Sequence, residues 1–263
     1  MLRNLPLVTK RVRQTLVDFD NGPSLLAGIA GRRPELHFQV DDSLNITCPN
    51  VAGARVPVYE VFAEDAYRLG WFTGDLREDV SAVDIGGHIG CFSMAFARLH
   101  PQGRVQTFEA SPTTFTFLNR NITDNKFDDR VTVNNTAVSS KVGTLQFADN
   151  AGGSGLNGIT APEGSKVIEI PCTTVAAAFG KAGDRVDVVK IDTEGAEYDI
   201  VLTSSPADWS GVQRVVMEYH PVDGHSWAEL EAFFAEAGLS VVRHEPVTDR
   251  LGTVWLSRTP LAV

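Results

Sequence analysis

Short apolar runs alternate along this chain with stretches in which apolar residues recur at helical spacing. The runs are rich in valine and isoleucine, which is typical of strands that are buried on both faces of a parallel sheet. Because helical spacing follows most runs, the pattern predicts an α/β fold with a mostly parallel sheet and a closing hairpin. The strand candidates are residues 56–62, 83–85, 104–109, 131–133, 167–170, 186–192, 213–219, 240–242 and 253–256.

The first 55 residues follow a different pattern. Apolar residues recur at helical spacing from Val8 to Phe19, and Asn21-Gly22-Pro23 then ends the helix. We therefore predict an N-terminal extension of helix and strand at residues 1–55, followed by a main domain at residues 56–263. The extension is expected to cap an acceptor pocket, to contact a second subunit in a homodimer, or simply to pack on its own domain.

A glycine-rich turn follows the strand candidate at residues 83–85 and reads Asp84-Ile85-Gly86-Gly87-His88-Ile89-Gly90. Glycines permit a sharp turn and let a ligand lie against the backbone, and the helix that follows offers unpaired N–H donors. The glycine positions fail the dinucleotide fingerprint G-x-G-x-x-G in every register. We predict a nucleotide-like cofactor held by Asp84 and residues 86–90.

The next strand candidate ends in an acid, Glu109, which follows Asp84 by 25 residues. This is close to the offset of roughly 20 residues at which an acid meets the ribose hydroxyls of a bound nucleotide. Ser111-Pro112 then opens a helix, with serine as its N-cap and proline at its first position. Small residues around Ala137 leave space for an adenine ring, so the predicted cofactor site also includes Glu109, Ala110, Ser111 and Ala137.

Two later strands end in pairs of polar residues spaced two apart, Asp192 with Glu194 and Glu218 with His220. Each pair is expected to point to one side of its strand, and ligands of open α/β sheets bind beyond the carboxyl ends of the strands. His220 is the candidate general base, with Asp192 or Glu218 fixing its tautomer. These carboxylates and the imidazole could also bind a divalent metal ion, but no sequence spacing specifies such a site. Glu197 is expected in the first turn of the following helix, where negative charge is favoured.

Composition and charge narrow the range of partners. The net charge of −10 argues against a nucleic-acid partner and favours a small or neutral acceptor. The three cysteines form no C-x-x-C pair, which suits a reducing cytoplasm, and no signal peptide or membrane span is expected. Residues 149–165 are rich in glycine and are predicted to form either a loop that closes over ligands or a plain surface loop.

With these residues in view, the chain resembles the FkbM family of S-adenosylmethionine-dependent methyltransferases. The resemblance covers roughly residues 56–220 and is carried by residues 83–90, by Phe108-Glu109-Ala110-Ser111-Pro112, by residues 118–125, by Lys190-Ile191-Asp192-Thr193-Glu194-Gly195-Ala196-Glu197, and by Glu218-Tyr219-His220. His88 and Ala110 depart from the family's usual Asn and Pro.

The resemblance implies a Rossmann-like, seven-stranded sheet of the class I methyltransferase type and S-adenosylmethionine as methyl donor. It also implies O-methylation of a hydroxyl on a secondary metabolite or a saccharide, and His220, Asp192 and Glu218 are then the candidate catalytic residues. The alternatives are an N- or C-methyltransferase on a peptide or sugar, a nucleotide-binding protein without activity, and a nicotinamide-dependent dehydrogenase.

Overall fold

The computed structural model describes residues 5–149, 167–183 and 185–261. Its helices are α1 (Leu5–Val17), α2 (Gly22–Ala30), α3 (Ala52–Phe62), α4 (Leu69–Thr73), α5 (Cys91–Leu99), α6 (Pro112–Asp124), α7 (Val175–Lys181), α8 (Glu197–Leu202) and α9 (Trp227–Glu236). Its strands are β1 (Glu35–Asp41), β2 (Leu44–Pro49), β3 (Ser81–Ile85), β4 (Arg104–Phe108), β5 (Val131–Asn134), β6 (Ala137–Val138), β7 (Gly143–Ala148), β8 (Val167–Thr173), β9 (Val188–Ile191), β10 (Arg214–Tyr219), β11 (Ser240–Pro246) and β12 (Gly252–Ser257).

A seven-stranded sheet forms the centre of the molecule, in the order β11-β12-β10-β9-β3-β4-β5. Strand β12 runs antiparallel to both of its neighbours, while the pairs from β10 to β5 are all parallel. The predicted sheet and its single antiparallel strand are therefore confirmed. Because β3, β4, β9 and β10 are parallel neighbours, their carboxyl ends open at one edge of the sheet, where ligands of such sheets bind.

The segment before the main sheet packs onto it through one apolar core. The rings of Phe19, Phe38 and Tyr59 meet edge to face, with centroids 4.9 to 5.6 Å apart. These residues belong to the same buried cluster as Ile89 and Phe92 beside the glycine-rich turn. The predicted N-terminal helix is present as α1, and the hairpin of β1 and β2 follows α2.

The strand predicted at residues 56–62 is wrong, because these residues lie in helix α3. The segment suggested a strand because it is rich in β-branched valine, a residue enriched in strands. Burial of Ala54, Val58 and Tyr59, at helical spacing, outweighs that preference. Pro57 lies inside the helix and leaves one backbone hydrogen bond unmade.

A small second sheet, in the order β6-β8-β7, lies outside the main one. The strand predicted at residues 167–170 belongs to this sheet as β8. Strands β7 and β8 are antiparallel, and Ala148 pairs with Val167. The predicted glycine-rich loop at residues 149–165 lies outside the described residues, apart from Asp149. The two hydroxyls of Ser111 and Thr113 donate hydrogen bonds to the Asp149 carboxylate at 2.7 and 2.8 Å.

Candidate functional site

The glycine-rich turn lies directly against the end of strand β9. Gly86 has φ +83°, and a Cβ there would lie 1.8 Å from the backbone oxygen of Asp192. At Gly87, a Cβ would lie 2.1 Å from the Thr107 hydroxyl oxygen. Neither position accepts a side chain, so the glycines bring the turn's backbone against the end of β9 and against β4.

Asp84 lies beneath this turn and its carboxylate is fully buried. The hydroxyl of Ser93 donates to it at 2.7 Å, and the ammonium of Lys190 lies 3.3 Å from its other oxygen. Lys190 also donates a 2.6 Å hydrogen bond to the backbone oxygen of Gly86. Asp84 and Lys190 thus form a buried ion pair that supports the turn from the core side.

A cavity of about 440 Å³ opens above the turn at the carboxyl edge of the sheet. Nine predicted site residues line it, namely Gly86, Gly87, His88, Glu109, Ala110, Ala137, Asp192, Glu218 and His220. Four others, Asp84, Ile89, Gly90 and Ser111, are not among its lining residues. For Asp84 this differs from the expectation of direct cofactor contact, because its carboxylate pairs with Lys190 in the core.

Glu109 stands at one end of the cavity, just beyond strand β4. The backbone N–H groups of His88 and Ser111 each donate a 2.8 Å hydrogen bond to its carboxylate. Burial raises the pKa of Glu109 to about 7, although these hydrogen bonds oppose the shift. Ser111 also caps helix α6 by accepting a hydrogen bond from the N–H of Thr114, so α6 begins immediately beside this acid.

The cavity wall near Glu109 is mainly apolar or small. It is formed by Phe108, Ala137, Val138, Leu145 and Phe147. His88 also lies here with φ +49°, and burial lowers the pKa of its imidazole to about 4, so that it is neutral. This wall has the chemical character that suits a flat heteroaromatic ring.

The opposite end of the cavity is rich in carboxylates, contributed by Glu60, Asp192, Glu194 and Glu218. Burial and the nearby charge of Asp192 raise the pKa of Glu60 to about 7 and that of Glu218 to about 8. Tyr67 donates a 3.1 Å hydrogen bond from its hydroxyl to Asp192. This end therefore attracts cations and hydrogen-bond donors, and repels anions.

His220 is held by a partner that the sequence analysis did not assign to it. Its Nδ1 lies 3.1 Å from Glu197, whereas Nε2 lies 3.4 Å from Glu194 and 3.7 Å from Glu218. Burial alone lowers the pKa of His220, but the hydrogen bond with Glu197 and the surrounding carboxylates outweigh it and raise the pKa to about 9. His220 is therefore an imidazolium near neutral pH, which does not suit the predicted role of general base.

Glu197 begins helix α8, as predicted, yet its carboxylate is fully buried. It accepts hydrogen bonds from the Thr193 N–H at 3.0 Å, the Thr193 hydroxyl at 3.0 Å and the Gly195 N–H at 3.0 Å. These donors fix the carboxylate next to His220. In the sequence, a place in the first turn of a helix was a sufficient reason for an acid at position 197. No sequence pattern therefore indicated that Glu197 contacts His220.

Replacement of Glu197 by glutamine is expected to lower the pKa of His220 from about 9, because the charged hydrogen-bond partner is lost and Asp192 and Glu194 alone oppose burial less strongly. NMR titration of the imidazole measures this shift. Stability from protonated His220 is complete below about pH 6.5 and is lost as pH rises through about 9. The free energy of unfolding of the wild type should therefore fall between about pH 6.5 and about pH 9, and that of the variant should fall less over the same range.

The control for this variant is Glu229→Gln, which removes an acid 3.4 Å from a different histidine, His225. It should leave the titration of His220 unchanged. A His220 pKa that stays near 9 in Glu197→Gln would show that other carboxylates, and not Glu197, hold the proton.

Neither a metal centre nor a membrane span is evident in the described part of the chain. Across residues 5–149, 167–183 and 185–261, no three or more His, Cys, Asp or Glu side chains are grouped to hold a metal ion. Among the same residues, no helix has the length and apolar character needed to cross a bilayer.

Comparisons with known proteins show which family this chain is similar to. A family model described as the methyltransferase FkbM domain matches residues 84–241. Methyltransferase sdnD of Sordaria araneosa is 25% identical over 215 residues, covering 70% of this chain and 81% of that protein. The 31-O-demethyl-FK506 methyltransferase FkbM of Streptomyces tacrolimicus is 28% identical over 229 residues, covering 74% and 85%.

Among solved structures, methyltransferase FkbM from Methylobacillus flagellatus superimposes with a TM-score of 0.50 at 15% identity. The superposition covers 90% of this chain and 58% of that one, and it supports the fold alone. The family model spans more than half of the chain and includes the glycine-rich turn, Glu109, Asp192 and His220. The chain therefore belongs to the FkbM family of S-adenosylmethionine-dependent methyltransferases.

Proposed function

We propose that this enzyme transfers a methyl group to a hydroxyl of a small molecule, either a secondary metabolite or a saccharide. The observation that carries the proposal is the two-ended cavity. One end offers a bare glycine backbone, an acid at a strand end and an apolar wall, while the other offers carboxylates and an imidazolium. A nucleoside fits the first end, and a neutral acceptor with hydrogen-bond donors fits the second.

The residues at the first end fit S-adenosylmethionine, since Gly86 and Gly87 line the cavity without side chains and Glu109 and an apolar wall lie beside them. In this proposal Glu109 accepts hydrogen bonds from the ribose hydroxyls, and Ala137 and its apolar neighbours face the adenine. Asp192 and the turn backbone face the amino acid part. Asp84, Ile89, Gly90 and Ser111 act indirectly, by holding the turn and helix α6.

When bound, S-adenosylmethionine supplies an electrophilic methyl carbon on a positively charged sulfur. This chain's residues must then align the acceptor oxygen, exclude water and receive the hydroxyl proton as the new C–O bond forms and the C–S bond breaks. Glu218, with its pKa of about 8, is matched to receive that proton near neutral pH. His220 then acts as a fixed positive charge beside Glu218 and Glu194 and no longer as the base.

The comparisons and the composition support this choice of acceptor. The name of the Streptomyces tacrolimicus relative describes a 31-O-demethyl acceptor, so that protein's reaction is at an oxygen. The net charge of −10 and the acidic cavity favour a small-molecule acceptor over a nucleic acid. Three buried free cysteines, Cys48, Cys91 and Cys172, suit work in the reducing cytoplasm.

Calorimetric titration with S-adenosylhomocysteine, the product of the donor, tests the proposal. Replacing Glu109 by glutamine is expected to weaken binding by about 10- to 100-fold, because charge-assisted hydrogen bonds to the ribose are lost. Glu231→Gln, an exposed acid on α9, is the control and should bind normally. Absence of binding by the wild type, or equal binding by Glu109→Gln, would contradict the proposed cofactor site.

Mass analysis of the product then identifies the methylated atom. Transfer to oxygen supports the proposal, whereas transfer to nitrogen or carbon would assign the enzyme to a different class of acceptor. Binding of S-adenosylhomocysteine without transfer to any acceptor would favour a nucleotide-binding protein that lacks activity.

A further inference from the structure

One face of helix α3 forms a wall of the cavity. The residues of this face recur at helical spacing and are Gly53, Val56, Pro57, Glu60 and Val61. Four of them are small or apolar, and Glu60 alone carries a charge. Helix α3 precedes residues 84–241, which match the family model, so this wall is not part of the matched domain.

The Glu60 carboxylate has no partner within the protein as far as the structure describes it. No hydrogen bond or ion pair reaches it from residues 5–149, 167–183 or 185–261, although Asp192 and Glu194 lie near enough to act on its charge. Glu64, close by, is in contrast fully engaged. Lys10 lies 2.8 Å from Glu64, and Gln14 donates a 3.0 Å hydrogen bond to it.

A partly buried carboxylate that faces other acids without a partner is unfavourable in the free protein. A ligand that donates an O–H or N–H hydrogen bond to the carboxylate would offset this unfavourable free energy. Glu60 is therefore suited to ligand binding, since no contact of its carboxylate within the described residues stabilises the fold. Tyr67, Asp192, Glu194 and Glu218 interact electrostatically with it, and Arg11, whose charge favours its ionised form, contacts Glu64.

We propose that Glu60 binds the acceptor, accepting a hydrogen bond from one of its hydroxyls while Glu218, from strand β10, takes a second. The substrate class is then a neutral molecule with at least two hydroxyl groups. Anionic acceptors are repelled by the carboxylates of this end, and cationic acceptors are repelled by the donor's own sulfonium charge. This inference rests on the proposed function and deepens it.

The contacts around α3 also favour one of the roles predicted for the N-terminal extension, namely packing on its own domain. Among residues 5–55, the part of the extension that the structure describes, Gly53 is the one that lines the cavity. The guanidinium of Arg11 lies 4.7 Å from the centre of the Tyr59 ring and contacts Glu64, so α1 packs behind α3. In this proposal the extension holds α3 in place, and α3 contacts the acceptor.

The test uses the full chain and two matched pairs of probes. Methyl glucopyranoside is paired with methyl glucopyranosiduronate, and cyclohexanediol with dihydroxycyclohexane carboxylate. Transfer of labelled methyl from S-adenosylmethionine gives kcat and KM, and calorimetry gives the Kd of S-adenosylhomocysteine. The variants are Glu60→Gln, Glu60→Asp, which keeps the charge on a shorter side chain, and the control Glu64→Gln outside the cavity.

Glu60→Gln is expected to raise the KM for a neutral probe by about 10- to 100-fold, the loss of a hydrogen bond to a charged group. Its kcat and its Kd for S-adenosylhomocysteine should change by about twofold or less, and its discrimination against the carboxylate probes should fall. Glu60→Asp should retain that discrimination with a raised KM. Glu64→Gln should match the wild type in all four quantities.

Three results would overturn the inference. These are methylation of the carboxylate probes as fast as their neutral partners, methylation of neither neutral probe, and a change in the Kd of S-adenosylhomocysteine as large as the change in KM. The last result would assign Glu60 to the donor site. Failure of the wild type to bind S-adenosylhomocysteine would instead refute the proposed function.

Discussion

Replacing Lys190 by methionine is expected to destabilise the fold by about 3–5 kcal/mol, the usual cost of leaving one member of a buried ion pair without its partner. The Lys190 side chain is 4% exposed and Asp84 is fully buried. Burial alone would lower the pKa of Lys190, but the charges of Asp84 and Asp192 raise it above its ordinary value. The ammonium thus stays charged, and its loss leaves the Asp84 carboxylate uncompensated.

Urea-induced unfolding of the wild type and of Lys190→Met measures this cost. The double variant Asp84→Asn, Lys190→Met should recover most of the lost stability, because an amide at position 84 can still accept the Ser93 hydrogen bond. Lys181→Met is the control, since that ammonium contacts Asn134 from an exposed position. A loss below about 1 kcal/mol in Lys190→Met would show that water or rearrangement satisfies Asp84.

Replacing Gly86 by alanine is expected to reduce the affinity for S-adenosylhomocysteine by about 100-fold or more. The new Cβ would lie 1.8 Å from the Asp192 backbone oxygen, and alanine is strained at φ +83°. The turn must move away from β9 to relieve this overlap. Movement of even about 1 Å in a binding site has effects of this size, because hydrogen bonds and packing are lost together.

The control for this variant is Gly70→Ala in helix α4. Gly70 is exposed, and a Cβ there meets nothing within 4 Å, so stability and binding should be unchanged or slightly improved. Calorimetry for binding and thermal unfolding for stability separate the two effects. Wild-type affinity in Gly86→Ala would mean that the turn adapts freely and is not a rigid part of the site.

The sequence predicts the core of this fold well, because the strands of the central sheet are continuous apolar runs. Asp84, Gly86 and Glu109 stand out because a glycine-rich turn and a strand-end acid have few structural alternatives at those offsets. Helix α3 was predicted to be a strand, because the β-branched residues Val56, Val58 and Val61 favour a strand locally. Only packing of its buried face against the rest of the core determines that it is a helix.

The polar groups of the site were harder to predict, because their pairing depends on side chains that meet across elements. Their spacing in the sequence predicted that His220 and Glu218 lie at the end of one strand. It could not predict that Glu197, from helix α8, lies within hydrogen-bond distance of His220. Lys190 was noted as part of the family resemblance. Its buried ion pair with Asp84 could be recognised only from the three-dimensional structure. Glu60 carried no sequence signal, since an acid in an apolar segment is common on protein surfaces.

The antiparallel pairing of β7 with β8 fixes the two points between which the chain passes through residues 150–166. Ala148 and Val167 are direct partners, so the chain leaves and rejoins the small sheet at a single point. The hydroxyls of Ser111 and Thr113 hold Asp149, the last described residue before residues 150–166. Since loop-closure entropy grows only slowly with length, a change in the number of residues between Asp149 and Val167 should cost the pairing of β7 with β8 little stability.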